Sequence, residues 1–152
     1  MAHIKWTDDL NTSIQVIDGQ HHRIVEYINM LDDISSSHEK DKVEKVLNEL
    51  VDYTLSHFAF EESLMEDAGY SFINGHKRVH QLFVKRVGDF LQRFKMGEDI
   101  VDELLMMLKS WLINHIRSDD NDYVAIVKSN MENINTASND GWLKKSVKKF
   151  FG

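Results

Sequence analysis

The stretch HFAFEESLME, residues 57–66, decides how the chain reads, because one charged residue falls where a hydrophobe belongs. Upstream, apolar residues recur at Val43, Val46, Leu47, Leu50 and, through Thr54, at Phe58; steps of three and four continue through His57, Glu61, Leu64 and Met65. That period marks the buried stripe of an amphipathic helix. Glutamate is rarely buried without a partner, and an ionised carboxylate in an apolar interior needs compensating charge. Glu61 therefore implies something cationic inside the protein.

Three further helical patterns surround this one. A helix over about 17–34 places His21, Ile24, Ile28 and Leu31 on one face, and the polar run SSSHEKD at 35–41 closes it. The Glu61 helix covers about 41–67 and stops before Gly69, a residue suited to a left-handed cap. A third covers about 71–95, with Phe72, His76, Val79, His80, Phe83, Val87, Phe90, Leu91 and Phe94 on its stripe, and Gly97 ends it. A fourth, over about 98–118, aligns Val101, Leu104, Leu105, Leu108, Leu112, His115 and Ile116. Helices of about 20 residues are roughly 30 Å long. Their connections are short, so the predicted fold is all-α, an up-down-up-down antiparallel four-helix bundle.

An N-terminal arm containing Trp6 precedes the bundle and is expected to pack over it. Residues 121–135 give no clear pattern, and NTASND at 135–140 reads as a linker. The last stretch, GWLKKSVKKFFG, forms a short C-terminal amphipathic helix in this reading. Trp142, Leu143, Val147 and Phe150 lie on one side and Lys144, Lys145, Lys148 and Lys149 on the other.

Composition narrows the function. The net charge of −7 argues against nucleic acid as a partner. The chain has no cysteine, which excludes disulfides, thiolate sites and iron–sulfur clusters. The N-terminus shows no apolar run, and the longest apolar stretches, such as LLMML at 104–108, are too short to span a bilayer. A cytoplasmic location is expected.

Five of the eight histidines fall on the apolar stripes: His21, His57, His76, His80 and His115. Five ordinary core histidines would need five buried hydrogen-bond partners, and the stripes offer few polar side chains. The spacings give another reason for them. His57 with Glu61, and His76 with His80, are i, i+4 pairs that point the same way from their helices. His115 is followed by Asp119 and Asp120, which lie roughly 40° and 140° around an ideal helix. Helix geometry alone favours Asp119. Imidazoles with carboxylates suit iron, zinc, copper or manganese. Seven donors are too many for one such ion. Two ions bridged by Glu61 and an aspartate fit them, and five histidines split three and two leave one ion a position short, where a small molecule can bind.

The strings IDGQHHRI, HFAFEESLM, HKRVH and HIRSDDNDY resemble the metal-binding motifs of the hemerythrin family, bacteriohemerythrins in particular, in order and on four successive helices over about residues 6–123. The resemblance implies a non-haem di-iron centre, two oxo- or hydroxo-bridged iron ions, that binds O₂ reversibly. By the family pattern the ligands would be His21 rather than His22, His57, Glu61, His76, His80, His115, and Asp120 rather than Asp119. The end of the fourth helix must then bulge or unwind. His76, His80 and His115 would hold the saturated iron, and His21 and His57 the one with the open position. Tyr123 matches a family tyrosine and is read as a core residue or hydrogen-bond donor. Two positions depart from the pattern, Ser13 where the family usually has glycine and Ser71 where it often has proline.

The donor set favours carriage over turnover. If O₂ takes one electron from each iron and one proton from a bridging hydroxide, the centre keeps its charge and the step can reverse. The chain has no Glu-x-x-His motif of the kind that marks carboxylate-rich di-iron oxidases. Phe58, Trp111, Leu112 and Ile116 are expected to wall the O₂ pocket. Oxygen transport, storage or delivery is thus the leading reading. The alternatives are a di-iron enzyme handling peroxide or nitric oxide, an O₂ sensor, and a metal-storage module. Residues 1–135 would form the hemerythrin-like bundle with its arm, and 136–152 a basic tail. The tail is expected to cap the bundle. Its lysines also suit an anionic membrane surface or an acidic oxidase partner. A monomer is expected, since no large exposed apolar stripe calls for a second copy.

Overall fold

A computed structural model describes residues 3–36, 39–133 and 148–151. The helices are α1 (Gln15–Ile34), α2 (Lys40–Ala68), α3 (Ile73–Lys95), α4 (Val101–Asn114) and α5 (Asn121–Asn133), and a π-helical turn, His115–Asp120, joins the last two. The fold is an all-helical bundle. Helix α1 packs on α2 and α4, and α2 packs on α3. His21 lies early in α1, His57 late in α2, His76 early in α3 and His115 just past α4. They can meet at one level only if successive helices run in opposite directions.

The turns follow local chemistry. Gly69 takes φ 70° at the end of α2, and the amides of Gly69 and Tyr70 reach back to Glu66 O at 3.1 Å and Met65 O at 3.0 Å. Gly97 does the same after α3 with φ 92°. The arm runs extended through a short 3₁₀ turn, Asp8–Leu10, and buries Ile4 and Leu10. The arm lies over the bundle as the sequence suggested, Trp6 stacks on His22 with ring centroids 3.7 Å apart, and Asp18 fixes the entrance to α1 by accepting from Thr12 N and Oγ1 at 2.8 and 2.7 Å.

The fourth helix differs from expectation. It starts at Val101 rather than 98 and does not end near 118, but runs through the π turn into α5. Ile116, Asp120, Tyr123 and Val127 are all buried, and their steps of four, three and four continue the stripe of α4. The sequence concealed this because RSDDND, residues 117–122, holds no hydrophobe.

Two apolar clusters fill the bundle. One gathers Ile24, Ile28, Leu31, Leu47, Leu50, Phe83, Leu104, Leu105 and Leu108. The other gathers Ile14, Ile17, Phe60, Leu64, Met65, Tyr123 and Val127. Phe150 and Phe151 pack against the second cluster, Phe151 lying 5.1 Å from the Tyr53 ring. The described end of the tail therefore caps the bundle, with Lys148 and Lys149 exposed. Trp142, Leu143, Lys144, Lys145 and Val147 lie outside the described residues, as does His38 of the α1–α2 connection.

Ser13 has φ 73°, a left-handed conformation that disfavours any residue with a Cβ and that glycine adopts freely. Ser13→Gly should stabilise the fold by about 0.5–1 kcal/mol, which raises Tm by roughly 1–4 °C in thermal melts.

Asp32, almost wholly buried, accepts from Lys109 Nζ at 2.7 Å. That bond holds its carboxyl below the ordinary carboxylate range, with burial opposing. A depressed carboxyl contributes stability that is present above the unfolded value, near 4, and is lost as pH falls through the folded one. Asp32→Asn should cost about 1–2 kcal/mol at pH 7. In melts taken as a function of pH, the gap to wild type should close only below about pH 4.

Candidate metal centre

Helices α1, α2 and α3 and the π turn present donors at the boundary between the two apolar clusters. On α1, His21 lies between Ile17 and Ile24; on α2, His57 and Glu61 lie between Leu50 and Leu64. Helix α3 brings in His76 and His80, and the π turn brings in His115 and Asp120. All seven are buried, with Glu61, Asp120 and His21 at zero exposure. In an α-helix a residue five places on faces away. The i→i+5 bonding of a π turn widens the coil so that both ends face the core. His115 Nε2 and Asp120 Oδ1 thereby come within 3.1 Å.

The donor atoms form two groups. Glu61, His76, His80, His115 and Asp120 offer atoms that all lie within 4.8 Å of one another, as do His21, His57, Glu61 and Asp120. Each group can hold a cation, and the two carboxylates belong to both. Nε2 of His57 lies 2.5 Å from Glu61 Oε1, and Nε2 of His21 lies 3.0 Å from Asp120 Oδ2. Several of these atoms are nonetheless unsatisfied: both nitrogens of His21, Glu61 Oε1, His76 Nε2 and both oxygens of Asp120 make no properly directed hydrogen bond. Buried polar atoms that crowd together unpaired are the signature of a missing cation.

Three other rings of the cluster are oriented from outside. His57 Nδ1 lies 2.6 Å from Gln20 Oε1, His80 Nδ1 lies 3.0 Å from Glu62 Oε2, and His115 Nδ1 lies 2.9 Å from Asp119 Oδ2. Each acceptor draws the proton to Nδ1 and leaves the Nε2 lone pair facing inward, as a metal ligand requires. Tyr123 donates to Glu61 Oε2 at 2.8 Å. Burial opposes charge on His115, but Asp120 and Asp119 outweigh it and raise its pKa to about 10. Burial, then the neighbouring charges of His115 and His76, drives His80 down to about 2.

Residues 12–127 match the profile of the hemerythrin HHE cation binding domain. The chain belongs to the hemerythrin family. It is 56% identical to a bacteriohemerythrin of Pseudomonas paraeruginosa and 51% identical to one of Stenotrophomonas maltophilia, each over the full length of both chains. A solved wild-type hemerythrin superposes with a TM-score of 0.79 at 29% identity, covering 83% of this chain and 98% of that one. The hemerythrin domain implies a non-haem iron site, and the unsatisfied imidazole and carboxylate atoms fit that demand.

The aromatic residues expected to wall a hemerythrin pocket divide their roles. Phe58 lies flat on the His80 ring, centroids 3.8 Å apart, and Trp111 lies flat on His115 at 4.4 Å. Both, with Leu112, line a cavity of about 10 Å³ that also touches His57 and His115 and is roofed by Ile24, Ile28, Leu50 and Leu108. Ile116 is buried but does not line that cavity. Asp119 is close to His115, as helix geometry suggested, yet it supports the ring from behind while Asp120 faces the centre.

The sequence reading missed Gln20 and Glu62. Gln20 carried a signal, since Ile17, Gln20 and Ile24 share one stripe and a buried amide requires a partner. Glu62 carried none, because its partner His80 is on another helix. Replacing Gln20 by Leu should leave the bundle folded and lower the affinity for iron(II) or zinc(II) by about 10–100-fold in chelator competition.

Proposed function

We propose that the chain binds O₂ reversibly at a pair of iron ions, for oxygen transport, storage or delivery. The observation that carries this reading is the asymmetry of the two donor groups. One has three histidines and the other two, with Glu61 and Asp120 common to both. The small apolar cavity touches His57 of the poorer group and His115 of the richer one. His76, His80 and His115 would hold one iron and His21 and His57 the other, with the two carboxylates bridging. The iron pair, when bound, supplies two electrons to O₂ and recovers them on release.

The protein's own contribution is placement and exclusion. A cavity of about 10 Å³ holds about one water-sized molecule. Ile24, Ile28, Leu50, Leu108 and Leu112 offer no hydrogen bond to water, so an apolar diatomic is favoured over it. Apart from the two histidines, Thr54 is the one polar residue among the described lining. No carboxylic acid, lysine or tyrosine lines it, and its two histidines would be taken up as metal donors, so no acid is placed there to drive O–O cleavage, which supports binding over oxidation. Tyr123 holds Glu61 by its outer oxygen, and its hydroxyl stays protonated because burial and then the Glu61 and Asp120 charges push its pKa well above the ordinary value.

The test is an absorption spectrum of anaerobically reduced, iron-loaded protein, recorded before air, in air and again under argon. A peroxide-to-iron(III) charge-transfer band that develops in air and fades under argon is expected. Irreversible colour, or steady consumption of reductant with O₂ or nitric oxide, would favour an enzyme instead. Asp120→Ala removes a donor from both groups and should bring bound iron below one ion per chain.

A further inference from the structure

Among the described residues, the two sides of the centre differ in their access to solvent. His21 and His57 are sealed, and the Gln20 that steadies His57 is itself buried. On the other side, the carboxylates behind His80 and His115 reach the surface: the side chains of Glu62 and Asp119 are 27% and 37% exposed. Beside Asp119 opens a cleft of about 550 Å³ lined by Tyr70, Phe72, His76, Val79, Asp119 and Asp122. It is bounded by a buried imidazole that belongs to the donor cluster. Phe72 stands at the cleft 73% exposed, the kind of bare aromatic side chain that seeds protein contacts. Gly75 also borders the cleft and leaves it open, since a Cβ there would meet nothing within 4 Å.

This geometry does not suit gas binding, because the apolar cavity lies elsewhere and the cleft is polar. It suits electron transfer. An imidazole bordering an open cleft would bring an outside donor within one ring of a bound metal. Asp119 and Asp122 make the cleft acidic, with Glu62 and Glu66 nearby on α2; Lys77 is paired with Glu66 at 3.7 Å, and Arg78 is exposed. Building on the iron-pair reading, we infer that this cleft is a docking surface for a one-electron carrier protein with a positively charged contact face, which re-reduces the centre once it has oxidised. Each encounter moves one electron: the carrier is oxidised by one, one iron(III) becomes iron(II), and two encounters restore the pair. Small, charge-matched, transient contacts are the usual form of such interfaces.

The test compares wild type with Asp122→Lys and with Asp102→Lys, an equal charge reversal at an exposed position in the first turn of α4. Iron content and the O₂-linked spectrum are measured first on each. Oxidised protein is then mixed in stopped flow with hexaammineruthenium(II), a cationic one-electron donor. Asp122→Lys should slow reduction about threefold or more at low ionic strength, an effect that vanishes in high salt, while Asp102→Lys changes little. A second readout is independent of turnover: a basic c-type cytochrome added to isotope-labelled protein should shift amide resonances at 70–79 and 119–122, and lose that effect with Asp122→Lys. Equal slowing by both variants, or shifts confined to another face, would overturn the inference. Failure to hold two irons would instead sink the iron-pair reading beneath it.

Discussion

Two carboxylates with no exposure to water, Glu61 and Asp120, govern this structure. Both lie in the overlap of the two donor groups, and their inner oxygens have no properly directed hydrogen bond. Isolated buried charge of this kind is strongly destabilising, so the bundle must present compensation from every helix. It does so with five imidazoles, three of which have their lone pairs turned inward by Gln20, Glu62 and Asp119. The positions of the helices follow from that demand as much as from apolar packing. The donors lie between two hydrophobic clusters, which shield the site from above and below.

The π turn is what reconciles the demand with helix geometry. A regular helix would direct either His115 or Asp120 away from the core, and the centre would lose a donor from one group in the first case and from both in the second. Widening the turn retains both, and leaves Asp119 in place to hold the ring of His115. Arg117, within the same turn, donates to Asp9 at 2.6 Å and so ties the bulge to the N-terminal arm. A local departure from α geometry thus serves the site directly, a common use of such turns.

Much of this was legible in the residues. Steps of three and four located α1, α2 and α3 to within two residues at each end, and the histidines on those stripes pointed to a cluster before any coordinates. Spacing on a single helix fails where the helix is irregular, which is why His115 and Asp119 looked like the natural pair and Asp120 required the family resemblance. It also fails for contacts between helices. Nothing in the order of residues brings Glu62 to His80 or lays Phe58 flat on the same ring. Helix α5 was obscured for a different reason: its buried stripe passes through an aspartate, and the surrounding run of acidic and amide side chains looks like a loop.

The centre's asymmetry is the main functional claim, since it sets a donor-poor group, His21 and His57, beside a donor-rich one, His76, His80 and His115, with an apolar cavity touching His57 and His115. The most direct measurement is anomalous X-ray diffraction at the iron absorption edge from crystals of the iron-loaded protein. Two peaks are expected, one among His76, His80 and His115 and one beside His21 and His57, with Glu61 and Asp120 contacting both. A single peak, or iron bound away from Glu61 and Asp120, would contradict it.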